Sequence, residues 1–217
     1  MSIDGRGRII VINGTSSSGK TTLVRALQAA MPDLWLEMGI DRFAYALPGR
    51  VNGQPSWPLL FAYVRPEGRS DGPFTIETTA LGNRFIAGMH ATAAALAGSG
   101  LNVIVDHVIL EPEWVADMAR LWAGFEVLFV GIRCPLDIVL EREKSREDRT
   151  IGQAEAQFDV VHRWTSYDVE VDTSVLAPTE AVRDPGRTRG AAALTIRRRP
   201  VTSGVLGRVP DLIFRSA

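Results

Sequence analysis

The chain has 217 residues, 46% of them hydrophobic, and a formal net charge of −1. This length suits one α/β domain, and the small net charge gives no electrostatic case for binding nucleic acid or an anionic membrane. The single cysteine excludes an internal disulfide and fits a reducing compartment. Because the sequence has neither a signal-peptide pattern nor an apolar run of about 18 residues, we expect a soluble, cytoplasmic protein without a membrane span.

The first predicted elements are a strand, a loop rich in glycine and serine, and a helix. Residues 8–13 form a short β-branched run typical of a strand buried on both faces. Residues 22–31 carry apolar side chains on one helical face. Residues 34–38 predict a second strand, followed by a turn and a short helix over residues 39–47. Residues 48–75 are rich in glycine, proline and aromatic residues, which predicts a long irregular loop, with or without a hairpin.

Strands and helices alternate through the next hundred residues. We predict helices over residues 78–97, 111–122, 135–144 and 153–164, and strands over residues 101–106, 125–134 and 167–172. Strict alternation implies a parallel sheet with helices on both faces, so the predicted fold class is α/β. Residues 185–217 are rich in arginine and lack a clear period, which predicts a basic tail that is flexible or loosely docked.

The loop after the first strand matches the pattern G-x-x-x-x-G-K-[ST], and it lies between a predicted strand and a predicted helix, as that motif requires. Its glycines let backbone N–H groups approach phosphate oxygens at a helix N-terminus. Lys20 can reach the β- and γ-phosphates, and the Thr21 hydroxyl can ligate Mg²⁺. We predict that ATP and Mg²⁺ bind here, although no motif separates ATP from GTP. The predicted nucleotide-binding residues of the loop are Gly14, Thr15, Ser16, Ser17, Ser18, Gly19, Lys20, Thr21 and Thr22.

Two aspartates follow predicted strands. Asp41 comes just after the second strand, and ligands of open α/β sheets bind at the carboxyl ends of strands. It is therefore either a catalytic base for an acceptor hydroxyl or the N-cap of a helix over residues 42–47. Asp106 ends a later strand, the placement of a carboxylate that holds the water shell of Mg²⁺. His107 either contacts substrate or is a buried structural residue, and we favour the second interpretation.

Three arginines follow the fourth predicted strand at spacings of four and three: Arg142, Arg146 and Arg149. One interpretation is a lid that closes over the phosphates, in which Arg146 and Arg149 are catalytic and Arg142 contacts the nucleotide. The alternative is a solvated helix end with ion pairs between neighbouring turns. The position in the chain favours the lid.

Six segments, in their order and spacing, resemble the chloramphenicol phosphotransferase family of small P-loop kinases, which O-phosphorylate an antibiotic. These segments are NGTSSSGKTT, WLEMGID, NVIVDHVIL, FVGIRCPL, EREKSREDR and VVHRWTSYDVEVDT. The resemblance covers residues 8–175. It implies a P-loop NTPase three-layer sandwich, with a five-stranded parallel sheet of the nucleotide-kinase type. Residues 1–184 would then be the P-loop kinase domain.

The resemblance also implies roles for individual residues. It makes Asp41 the catalytic base, Lys20 and Thr21 the contacts to phosphate and Mg²⁺, and the arginines at 142–149 the lid. Where the family has a pair of acids after the third strand, this chain has Asp106 followed by histidine. The segment 48–75 shows no clear match to the family pattern.

The function predicted from these features is ATP-dependent transfer of a phosphoryl group to a hydroxyl of a small molecule. The acceptor is expected to be an antibiotic such as chloramphenicol or another hydroxylated natural product, in resistance or self-protection, because Trp57, Phe61, Tyr63 and Phe74 suit a ringed substrate. One alternative is a kinase of a nucleoside or sugar nucleotide, and another is a nucleotide-binding regulator without transfer activity. We expect no specific nucleic-acid partner, and a homo-oligomer is left open.

Overall fold

The computed structural model describes residues 5–47, 59–66, 72–146 and 150–175. Within these residues a parallel sheet contains β1 (Ile9–Asn13), β2 (Trp35–Gly39), β5 (Asn102–His107), β6 (Val127–Arg133) and β7 (Val169–Asp172). The strand order is β2-β5-β1-β6-β7. A separate antiparallel hairpin is formed by β3 (Phe61–Val64) and β4 (Thr75–Thr78). The predicted α/β class and the five-stranded parallel sheet are confirmed.

Helices cover both faces of this sheet. They are α1 (Lys20–Ala30), α2 (Ile40–Tyr45), α3 (Ala80–Gly98), α4 (Pro112–Leu121), α5 (Leu136–Lys144) and α6 (Gln153–Phe158). Successive residues of β1 face opposite layers, as side chains of a strand do. Ile10 packs with Leu23 and Val24 of α1, whereas Val11 belongs to the cluster that contains residues of α3 and α4. The result is the three-layer sandwich. Among the helices that the structure describes, none has the length and apolar character of a membrane span.

The structure corrects two predicted boundaries. The helix predicted over residues 153–164 ends at Phe158, and in the turns that follow it the Val161 carbonyl accepts a hydrogen bond of 2.7 Å from the Asn13 amide. Thr78 is the last residue of β4 and not the first residue of α3. The N-cap of α3 is Thr79, whose side chain accepts a hydrogen bond of 3.0 Å from the Gly82 N–H.

The segment predicted as an irregular loop, 48–75, contains β3 and the first residue of β4, so the alternative with a hairpin is correct for its described part. The remaining parts, residues 48–58 and 67–71, lie outside the described residues, and Trp57 lies with them. The predicted tail over residues 185–217 also lies outside them, so its boundary with the main domain stays a prediction.

The carboxyl ends of β1, β5 and β2 meet at one edge of the sheet. Asp106 of β5 is in register with Ile12 of β1 on one side and with Gly39 of β2 on the other. A Cβ on Gly39 would lie 2.8 Å from the Asp106 carbonyl oxygen, so glycine permits this close approach. The strand register therefore brings together the chain segments that follow these three strands.

Burial favours the neutral form of all three histidines of the chain. Burial lowers the pKa of His90, against the opposing effect of Asp117, and burial together with the neighbouring His90 lowers the pKa of His107. Burial, and then the charge of Arg133, lowers the pKa of His162 to about 4. The neutral ring of His162 accepts a hydrogen bond of 2.6 Å from the Tyr167 hydroxyl, which itself accepts one from Asn13.

We predict that acidification destabilises the protein through these rings. Between about pH 7 and about pH 5 the unfolded chain binds a proton at His162 that the folded chain does not, so the free energy of unfolding falls as the pH falls. For this partly exposed ring the loss is about 1 kcal/mol. Urea unfolding at both pH values measures it, with His162→Gln as the non-titrating control. Identical pH dependence of the two proteins would contradict the assignment.

Candidate active site

The loop between β1 and α1 forms an anion cradle. Gly19 is the N-cap of α1 and has a φ of 92°, in the left-handed region that glycine adopts without strain. The side-chain oxygens of Ser16 and Ser17 are buried and have no hydrogen-bond partner in the described residues. The Lys20 ammonium is buried and donates to the Thr15 carbonyl oxygen at 2.8 Å. The two buried serine hydroxyls, which lack acceptors and lie near a helix N-terminus, fit the phosphate groups of a nucleotide.

Asp106 lies beside this loop. Its carboxylate accepts a hydrogen bond of 3.0 Å from the Thr21 hydroxyl, and its other oxygen is 3.7 Å from the Lys20 ammonium. Burial raises the pKa of Asp106, while Lys20 and Thr21 oppose that shift. Within the described residues no three His, Cys, Asp or Glu side chains cluster as metal ligands. A hydroxyl and a carboxylate are oxygen ligands that still fit Mg²⁺, because this ion keeps several waters and takes the remainder from phosphates.

Asp41 lies in the first turn of α2 rather than at the N-cap, which is Gly39. The N-cap interpretation of Asp41 is therefore wrong. Its side chain lines the same cavity as Lys20 and Asp106, and its negative charge contributes to the raised pKa of Asp106. A carboxylate thus lies on the lining of the cavity that contains the phosphate loop.

One wall of the cavity is apolar and aromatic. It is lined by Ile40, Phe61, Tyr63, Ile76, Val108 and Leu110, which come from α2, the hairpin and the segment after β5. The hairpin is braced by ring contacts, since the Tyr63 and Phe74 rings lie 4.7 Å apart and the Arg65 guanidinium stacks 5.2 Å from the Phe74 ring. Among the described lining residues, the charged side chains are Lys20, Asp41, Asp106 and Arg146.

The predicted lid arginines have different positions. Arg146 lines the cavity together with Thr150. Arg142 does not line this cavity, because its guanidinium donates to the Thr173 carbonyl oxygen at 2.9 Å. The Thr173 hydroxyl donates in turn to the Ser18 carbonyl oxygen at 2.7 Å, so Arg142 lies against the far side of the loop. Arg149 lies outside the described residues. The roles of all three arginines stay predictions.

His107 is fully buried on the opposite face of β5 from Asp106 and does not line the cavity. Its Nε2 lies 2.9 Å from Nε2 of His90, whose Nδ1 is 2.9 Å from an Asp117 carboxylate oxygen. Its ring packs 5.6 Å from that of Trp114. This environment agrees with the structural interpretation of His107.

A buried carboxylate anchors the segment that carries Arg146. Both oxygens of Glu143, in the last turn of α5, accept backbone hydrogen bonds, from Gly152 at 2.7 Å and from Ala154 at 2.8 Å. Glu143 is 1% exposed, and it joins the end of α5 to the start of α6. The two ends of the intervening segment are thereby held together.

Replacing Glu143 with glutamine is expected to lower the free energy of unfolding by about 1–3 kcal/mol, because one amide N–H would face a backbone donor in a buried site. Urea unfolding measures this loss. Glu141→Gln, at an exposed position of the same helix, is the matched control and is expected to change stability little. Equal effects of the two substitutions would contradict the anchoring role.

Residue patterns alone missed several cavity residues. Gln153 and Gln157 line the cavity from α6, and Gln157 accepts a hydrogen bond of 2.6 Å from the Ser16 backbone N–H. Their spacing of four residues on one helix, directly after the arginine segment, is the signal that could have identified them. Val108 and Leu110 could have been identified from their position just after Asp106.

Comparisons with known proteins agree with this geometry. The family model described as "Chloramphenicol phosphotransferase-like protein" matches residues 7–184. The chain is 32% identical over 187 residues to "Putative O-phosphotransferase Rv2636" of Mycobacterium tuberculosis (strain ATCC 25618 / H37Rv), which covers 82% of this chain and 80% of that protein. It is also 30% identical over 200 residues to a guanylate kinase of Rubrobacter xylanophilus, covering 92% of this chain and 97% of the relative.

Among solved structures, a sugar kinase from Janibacter sp. HTCC2649 matches with a TM-score of 0.57 at 17% identity, over 80% of this chain and 89% of that one. At this identity the likeness establishes the fold alone. The P-loop kinase sandwich implied by the sequence resemblance is confirmed.

Proposed function

We propose, from the premise that this chain belongs to the chloramphenicol phosphotransferase-like family, that it transfers the γ-phosphoryl group of ATP to a hydroxyl of a small molecule. One observation supports this most strongly. A single cavity is lined by the phosphate loop, by Asp106 and by Asp41, and it continues into an apolar wall where an acceptor can bind. The chain is accordingly a phosphotransferase with an alcohol group as acceptor.

In the proposed reaction, the main roles fall to residues that line the cavity. The loop backbone and Lys20 bind the phosphates, and Lys20 offsets charge that develops during transfer. Thr21 and Asp106 would hold Mg²⁺, which neutralises charge on the phosphate oxygens when it is bound. A phosphorus–oxygen bond forms at the acceptor hydroxyl while the bond to the leaving ADP breaks, and Asp41 accepts the hydroxyl proton. Positioning and electrostatics carry such a transfer without a covalent enzyme intermediate.

Arg146 has a supporting role in this proposal. Its side chain is exposed at the cavity, on the segment that Glu143 anchors. A guanidinium there can approach the transferred group and help to exclude water when the segment closes. We propose the same role for Arg149. For Arg142 we retain the predicted role in nucleotide binding.

The acceptor is proposed to be an uncharged ringed compound, such as chloramphenicol or another hydroxylated natural product. The wall formed by Phe61, Tyr63 and Ile76 offers flat, apolar surface to a ring. Modification of such a compound in the cytoplasm would serve resistance or self-protection. A kinase of a nucleoside or sugar nucleotide is the second candidate.

A mass-spectrometric screen tests the proposed function. The protein is incubated with ATP, Mg²⁺ and a panel of chloramphenicol, other hydroxylated antibiotics, nucleosides and sugar nucleotides, and each acceptor is examined for a gain of about 80 daltons, one phosphoryl group. A product from an antibiotic supports the proposal. A product only from a nucleoside or sugar nucleotide supports the second candidate. Intact ATP binding with no product from any acceptor would favour a non-catalytic nucleotide-binding protein.

A further inference from the structure

Gln157 has an unusual environment for a glutamine. It is 3% exposed, and its Oε1 accepts a hydrogen bond of 2.6 Å from the Ser16 backbone N–H. A backbone N–H can only donate, so the side-chain atom that faces it must be the carbonyl oxygen. This fixes the amide orientation and turns the Nε2 amino group, with its two N–H donors, away from Ser16.

The Nε2 group has no hydrogen-bond acceptor in the part of the chain that the structure describes. Gln157 nevertheless lines the cavity that contains the phosphate loop. Two further polar groups there, the buried hydroxyls of Ser16 and Ser17, also have no partner among the described residues. Buried donors are almost always satisfied in folded proteins, so the two buried serine hydroxyls, together with the amino group of Gln157 on the same cavity, indicate a ligand with several acceptor oxygens.

We propose that Gln157 binds the terminal phosphoryl group of the nucleotide through its Nε2 while its Oε1 holds the Ser16 backbone. This rests on the proposed function, because it assumes that a nucleoside triphosphate is the donor. A tetrahedral oxyanion presents several acceptors to the Gln157 amide, to the two serine hydroxyls and to the Lys20 ammonium. Gln157 is thus a further residue that contacts the transferred group.

The position of Gln157 in the chain gives this contact a second consequence. Its helix, α6, begins where Glu143 accepts from the Gly152 and Ala154 N–H groups, directly after the segment that carries Arg146. A terminal phosphoryl group held by Gln157 therefore connects the phosphate loop to the base of that segment. A diphosphate, which lacks this group, makes no such connection.

Equilibrium binding tests the inference without any acceptor. Calorimetry with Mg²⁺ compares the affinity for ADP with that for the β,γ-imido analogue of ATP. In Gln157→Glu the carboxylate still accepts from the Ser16 N–H, but it offers no donor and repels the terminal phosphate. We expect the dissociation constant for the analogue to rise at least about tenfold relative to that for ADP, since hydrogen bonds to charged groups are the stronger ones.

Two further variants complete the experiment. Gln157→Met removes both the donor and the acceptor without adding charge, and the same preferential loss of the triphosphate is expected. Glu155→Gln changes an exposed residue of the same helix and should leave both affinities unchanged. Thermal unfolding of each variant verifies that the fold is retained.

Equal losses of ADP and analogue affinity in Gln157→Glu, or no loss of either, would overturn the contact with the terminal phosphoryl group while leaving the proposed function standing. A wild-type protein that binds neither nucleotide would overturn the proposed function and this inference together.

Discussion

Replacing Lys20 with alanine is expected to lower kcat/KM by roughly 10²–10⁴-fold, the range for loss of one electrostatic partner of a transition state. The Lys20 ammonium is buried, donates to the Thr15 carbonyl and lies 3.7 Å from Asp106. Binding of a nucleotide would exchange the Thr15 contact for phosphate oxygens. The loss corresponds to about 3–5 kcal/mol of transition-state stabilisation. Steady-state kinetics with the acceptor identified by the screen measures it.

The chain offers a matched control for this substitution. Its other lysine, Lys144, is exposed on α5 and does not line the cavity. Lys144→Ala is expected to keep activity close to that of the wild type. A Lys20→Ala protein that is folded and retains more than about half of the wild-type kcat/KM would rule out the proposed role of Lys20.

Replacing Asp41 with asparagine is expected to lower kcat by about 10²-fold or more, as for loss of a general base, while ATP affinity stays nearly unchanged. Asparagine has almost the same shape as aspartate but cannot accept a proton at this position. Asp41 lines the cavity together with the phosphate loop and the apolar wall, and in the proposed reaction the substitution acts on the acceptor. Turnover measured with saturating ATP, together with calorimetric ATP binding, separates the two effects.

Asp137 provides the control residue for the Asp41 substitution. Like Asp41, it is an acidic residue in the first turn of a helix, α5, but it is exposed and does not line the cavity. Asp137→Asn therefore reports what loss of a charge at a helix N-terminus costs by itself, about 0.3–1 kcal/mol of stability. If Asp41→Asn behaves like Asp137→Asn and turnover does not fall, Asp41 serves only its helix.

Features that depend on a few consecutive residues could be predicted from the sequence alone. The phosphate loop was identified because its glycines, Lys20 and Thr21 occupy consecutive positions whose backbone conformation is set within a single turn. Asp106 and Asp41 could be assigned to one edge because parallel strands align their carboxyl ends. The helix over residues 153–164 was predicted too long, since the turns after Phe158 make a contact that is distant in sequence: the Val161 carbonyl accepts a hydrogen bond from Asn13, 148 positions earlier.

The arginine segment shows the limit of spacing arguments. Arg142 and Arg146 are four residues apart, which predicts one shared helical side. In the structure α5 ends at Lys144, so Arg146 lies beyond the helix and lines the cavity, whereas Arg142 is held by Thr173.

The sequence by itself determined the α/β class, the phosphate loop and the aspartates at the strand ends, because each depends on residue order over short distances and on the general rules of parallel sheets. Only the tertiary structure decided which residues form the apolar wall of the cavity and what surrounds Gln157. The Ser16–Gln157 hydrogen bond joins residues 141 positions apart, and the hairpin residues Phe61, Tyr63 and Ile76 line the same cavity as the phosphate loop. Contacts of that range depend on how the layers pack, which no local pattern encodes.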